Sequence, residues 1–64
     1  MQRFRVGELV VVLPRFVHLY QKGPGVVIEV KLDRFRPAFN EYKLEFPDGS
    51  TESLFEFQLR EVKD

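Results

Sequence analysis

Sixty-four residues make at most one domain, and a chain of this size buries only about 60% of the surface it exposes when unfolded. There is no cysteine and one histidine, His18, so neither disulfides nor a zinc site can staple the fold. Ten Lys and Arg balance ten Asp and Glu, which excludes the strongly basic footprint of a protein that lives on nucleic-acid phosphates. The core must come from seven Phe, two Tyr and the aliphatic residues, each aromatic removing roughly 150–250 Å² from water. No stretch approaches the about 20 apolar residues of a membrane span, and Met1-Gln2-Arg3-Phe4-Arg5 leads into a strand rather than a signal-peptide core. The chain reads as soluble, unprocessed and cytoplasmic, a single domain over residues 1–64.

Gly7-Glu8-Leu9-Val10-Val11-Val12-Leu13 is a continuous β-branched run that Pro14 ends by removing a backbone donor, and it predicts the first strand. Arg15 to Lys22 forms a long, partly packed loop closed by the turn signal Gly23-Pro24-Gly25. From Gly25 to Leu32, Val26, Ile28, Val30 and Leu32 share one face and Val27, Glu29 and Lys31 the other, the alternation of a half-buried strand. Asp33 to Asn40 lacks a clean period and is expected to be an exposed loop.

Glu41-Tyr42-Lys43-Leu44-Glu45-Phe46 alternates charged and apolar without exception, a strand with one wet face. Pro47-Asp48-Gly49-Ser50 supplies the fixed φ, the local side-chain bond and the positive φ of a tight hairpin. Its partner strand is Ser50 to Phe55, followed by a single helical turn at Glu56-Phe57-Gln58 and a short closing strand, Leu59 to Val62. No window carries apolar residues at helical spacing over three turns. Five strands with a long first loop and a 3-10 turn before the last strand predict an all-β domain, a small five-stranded barrel that leaves few exposed edges.

This order of elements resembles the SH3-like barrel. Gly7-Glu8-Leu9-Val10-Val11-Val12 and Gly25-Val26-Val27-Ile28 are similar to the "Gly-acid-x-Val-x-Val" and "Gly-x-Val" strands of the KOW and Tudor-like group, although the interval from Gly7 to Gly25 exceeds the usual KOW spacing. The later segments Tyr42-x-Leu44-x-Phe46 and Phe55-x-Phe57-x-Leu59-Arg60-Glu61-Val62 resemble small SH3-like accessory subunits of photosynthetic electron-transfer complexes. The first likeness implies nucleic-acid binding, the second non-catalytic docking. The plasmid-type dihydrofolate reductases share the fold, but where they carry a Val-Gln-Ile-Tyr stretch this chain reads Ser53-Leu54-Phe55-Glu56.

Catalytic constellations are sparse. A nucleophile needs an orienting base, and His18 has no elbow motif beside it. Glu41, Glu45 and Glu52 alternate with apolar residues and so face water, with Lys43 as cross-strand counter-charge. Asp48-Gly49-Ser50 offers too few oxygens for a hard cation, and Gly23-Pro24-Gly25 precedes no helix that would cradle phosphate. No cofactor or metal is expected.

Recognition remains. Phe16, His18 and Tyr20 alternate in the first loop and Phe35, Pro37 and Phe39 in the second, flanked by Arg15, Arg34 and Arg36. Two arrangements are open for these aromatics: an exposed surface that stacks on a partner, or a lid folded back over the barrel. The expected function is a non-enzymatic protein-interaction module, an accessory or regulatory subunit docking on a larger protein. The alternative is a nucleic-acid binder using Arg15, Lys31, Arg34 and Arg36 on phosphates, with Phe35 or Tyr20 stacking on bases.

Overall fold

The computed structural model describes residues 2–16 and 23–62, so His18 and Tyr20 lie outside the described residues. Five antiparallel strands form one sheet in the order β4-β3-β2-β1-β5, and the described residues contain no α-helix. They are β1 (Leu9–Val12), β2 (Gly25–Lys31), β3 (Glu41–Glu45), β4 (Thr51–Phe55) and β5 (Leu59–Glu61), with 3-10 turns at Pro14–Phe16, Pro37–Phe39 and Glu56–Gln58. The strands β4 and β5 are the two edges, and among the described residues no ladder joins them. No helix among these residues is long and apolar enough to cross a membrane.

The strand β1 places Val10 and Val12 inward and pairs on both sides, Val10 standing opposite Gly25 of β2 and Glu61 of β5. Pro14 ends the strand and opens a 3-10 turn, where its missing N–H costs nothing. The ladder to the last strand continues past β1, the Leu13 N–H donating to the Gln58 carbonyl at 2.9 Å. Gly25 is glycine for want of room: a Cβ there would lie 3.1 Å from both the Leu44 Cβ and the Phe46 ring.

The alternation expected along β2 is broken. Val27 faces Leu44 of β3 while Glu29 faces Lys43, so Ile28 is an extra residue on β2, a β-bulge. Gly25 and Val27 point inward before the bulge and Val30 packs on the core after it. Val26, Ile28, Val30 and Leu32 therefore do not share a core face: Ile28 is 40% exposed, Leu32 more so, and Val27 fully buried.

The strand β3 follows its pattern, with Tyr42, Leu44 and then Phe46 buried and Lys43 and Glu45 exposed. The hairpin after it also forms as read. Gly49 takes a φ of +89°, its N–H donates to the Phe46 carbonyl at 2.8 Å, and the Asp48 carboxylate accepts from the Ser50 amide and hydroxyl at 2.9 and 2.6 Å. Leu54 and Leu59 complete the core from β4 and β5. An unforeseen member comes from the N-terminal segment, where Phe4 is buried edge-on against Tyr42 with ring centroids 5.3 Å apart.

Adding one methyl group at Gly25 forces Leu44 or Phe46 to move. Gly25→Ala is expected to lower unfolding stability by about 1–3 kcal/mol, read from the urea midpoint at unchanged m-value; an unaltered midpoint would contradict the close approach.

Candidate binding site

Four phenylalanines meet where the three 3-10 turns converge with the end of β4. Phe16 closes the first turn, Phe39 the second, Phe57 sits in the third, and Phe55 is the last residue of β4. The Phe55 and Phe57 rings stack at 5.7 Å and 13°, Phe39 meets both edge-on at 5.5 and 5.6 Å, and Phe16 meets Phe57 edge-on at 6.1 Å. Such offset and T-shaped contacts suit the ring quadrupole. The cluster is nevertheless open to solvent: Phe39, Phe55 and Phe57 remain 39%, 38% and 43% exposed, and Phe35 nearby is 84% exposed.

A groove of about 660 Å³ opens beside it. Its floor includes the cross-strand row Lys31, Glu41 and Phe55, which register places directly opposite one another on β2, β3 and β4. Leu32, Asp33, Phe35, Arg36 and Phe39 of the β2–β3 connection form the wall. That connection is shaped by its own side chains. The Asp33 carboxylate accepts from the backbone N–H of Phe35 at 3.1 Å and of Arg36 at 2.6 Å, and the Arg36 guanidinium lies 5.8 Å from the Phe39 ring centre. The adjacent row places Lys43 opposite Glu29 of β2 and Ser53 of β4 and belongs to a smaller depression.

The base of the connection is fixed by a buried polar cluster. Asn40, almost wholly buried, accepts from the Asp33 N–H at 2.9 Å and donates from its amide nitrogen to Glu56 Oε1 at 3.3 Å. The same carboxylate oxygen accepts from the Tyr42 hydroxyl at 2.6 Å and the Arg3 N–H at 3.3 Å, and the Glu56 N–H donates to the Asn40 carbonyl at 2.8 Å. The Tyr42 hydroxyl accepts in turn from the Arg3 and Phe4 N–H groups. These bonds occupy the hydroxyl and carboxylate with holding the backbone, which suits the cluster to positioning the rings above it. Gln58, also buried, accepts from the Phe55 N–H at 2.9 Å and so fixes the start of the third turn.

Of the residues expected to bind, Phe35, Arg36 and Phe39 come together at the groove, and Arg34 stands exposed in the same connection. Arg15 is exposed on the first 3-10 turn, while Phe16 is half-buried and packs on the core. Phe55, Phe57 and Leu32 were not among the expected site residues. Counting by twos from inward Leu54 puts Phe55 on the outer face, a signal present in the sequence.

Comparison with protein-family models, curated proteins and solved structures yields no match.

Burial, and secondarily the bond to Glu56, raise the Tyr42 phenol above its ordinary pKa of 10.0. The folded protein thus holds this proton more tightly than the unfolded chain, so the contribution is complete below about pH 10 and is lost as pH rises through the higher folded-state value. Tyr42→Phe is expected to flatten this alkaline loss, and to cost about 1.5–3 kcal/mol near neutrality by removing a hydrogen bond to a charged group. Denaturant unfolding of both proteins from pH 8 to 11 checks it; parallel pH profiles would refute the assignment.

Proposed function

We propose that this chain is a non-enzymatic protein-interaction module on an SH3-like barrel, an accessory or regulatory piece that docks on a larger cytoplasmic protein and leaves the chemistry to it. The strand order β4-β3-β2-β1-β5, the bulge that bends β2 and the 3-10 turn before β5 support the barrel. The observation that carries the docking role is the exposure of Phe39, Phe55 and Phe57, which pack on one another, with Phe35 beside them at the groove. Burying a Phe is worth about 1.5–3 kcal/mol, and a 64-residue domain has little such stabilisation to spare, so four rings left partly in water in one place are better suited to a partner than to the isolated fold. Aromatic side chains held by neighbours are also the usual anchors of protein interfaces.

Nucleic-acid binding is the second reading, favoured by Lys31 and Arg36 standing beside Phe35 at one groove. Acidic Asp33 and Glu41 in the same groove oppose it. The discriminating measurement is affinity capture from native lysate with wild-type and Phe35→Ala protein. Because Phe35 is a surface side chain, the variant should melt with the wild type and lose at least tenfold of a specific captured protein. Equal capture by both, or recovery of nucleic acid alone, would overturn the docking role.

A further inference from the structure

We infer that β4 is a pairing edge for a second copy of this chain, the two strands meeting antiparallel about a two-fold axis at Ser53. This surface is separate from the docking reading and does not rest on it. The phase of the β3–β4 ladder leaves the edge open. At its two ends the Phe46 N–H donates to the Ser50 carbonyl and the Glu56 N–H to the Asn40 carbonyl, and the register continues these bonded pairs as Leu44 with Glu52 and Tyr42 with Leu54. Bonded and non-bonded pairs alternate along an antiparallel ladder, so Thr51 and Ser53 turn their backbone N–H and carbonyl groups away from β3. Phe55 does the same, but its N–H is taken by the Gln58 side chain at 2.9 Å. Among the described residues nothing meets the outward groups of Thr51 and Ser53, and Thr51, Glu52 and Ser53 are all exposed.

Sheet edges are usually guarded, as β5 is: it is three residues long, carries Arg60 and Glu61, and folds the Arg60 guanidinium onto the Glu61 carbonyl. The strand β4 runs for five residues with no proline, lysine or bulge, and Glu52 is its one charge. That charge selects the register. Because the odd-numbered residues carry the outward groups, a second copy can centre on Glu52, Ser53 or Leu54 near the middle of the strand. Centring on Glu52 opposes it to itself, and centring on Leu54 opposes it to Glu56 of the second copy, where like charges destabilise. Centring on Ser53 sets Glu52 against Leu54 and Thr51 against Phe55, an aromatic and β-branched pair, while the two Ser53 residues exchange both backbone bonds. The Lys43 side chains, next in that row, stand three interstrand gaps apart, roughly 14 Å and beyond the screening length. A second copy also closes both β4 edges at once, whereas a foreign strand would leave its own far edge open. With a formal net charge of zero, two copies meet without net repulsion.

The seam is small, so sedimentation velocity from low-micromolar to millimolar protein should show monomer giving way to dimer only at the upper end. Amide exchange of Thr51 and Ser53 should slow as the dimer forms. Ser53→Lys and Ser53→Glu each place like charges at the axis and should weaken the dimer about fivefold with little change in melting, because Ser53 is exposed. Mixing the two variants in equal amounts should restore it. A monomer at every concentration would overturn the inference, as would a dimer that both variants retain and mixing does not strengthen. Slowed exchange at Thr51 and Ser53 only when a different protein is captured would overturn it too, and would give the edge to that protein's strand. Phe35→Ala should leave the dimer unchanged, so loss of specific capture by that variant bears on the docking role alone.

Discussion

The carboxylate of Glu56 ties two separate stretches of chain together on one oxygen, the N-terminal backbone at Arg3 and the Asn40–Tyr42 segment, which contributes the Asn40 amide and the Tyr42 hydroxyl. Its own N–H returns a bond to Asn40. Each residue of this cluster that lies near the groove is also the chain neighbour of a ring, since Phe39 precedes Asn40 and Phe55 and Phe57 flank Glu56. The polar knot beneath and the aromatic cluster above are therefore two sides of one contact. Loosening the first would disperse the second, because Asn40 ends the 3-10 turn that carries Phe39 and Glu56 begins the one that carries Phe57.

This arrangement divides the described aromatics between core and surface. Phe16 serves chiefly the former, packing on the buried cluster, and Phe35 only the latter. Phe39, Phe55 and Phe57 pack on one another and leave the remainder of each ring in water. Ring pairs of this kind contribute about 0.5–1.5 kcal/mol apiece beyond area burial. A surface whose rings hold one another in place would lose less entropy on binding a partner than one of independent side chains.

The parts of the fold legible in the residue pattern are those governed by local rules. Strict alternation fixes the faces of β3, Pro-Asp-Gly-Ser encodes its hairpin, and the break between Phe55 and Leu59 marks a 3-10 turn. Loop residues such as Phe35, Arg36 and Phe39 are legible as surface candidates for the same reason, since no period buries them. What local rules miss is partnership at a distance. Asn40 and Glu56 are ordinary polar residues until the fold sets them together, nothing around Phe4 announces that it will pack on Tyr42, and Phe57 joins the cluster only because three turns converge.

The bulge at Ile28 shows how one such non-local feature builds the groove. With Gly25 and Val27 inward, an unbroken strand would carry Glu29 and Lys31 into the apolar interior, where an unpaired charge costs far more than a valine gains. One extra residue reverses the parity, so that Val30 packs on the core opposite Tyr42 while Glu29 and Lys31 turn to water. The same reversal aligns Lys31 with Glu41 and Phe55 in a single outer row. A device that spares the core two charges thereby sets a cation beside the phenylalanines, and the chemistry of the groove follows from how β2 avoids burying its own lysine.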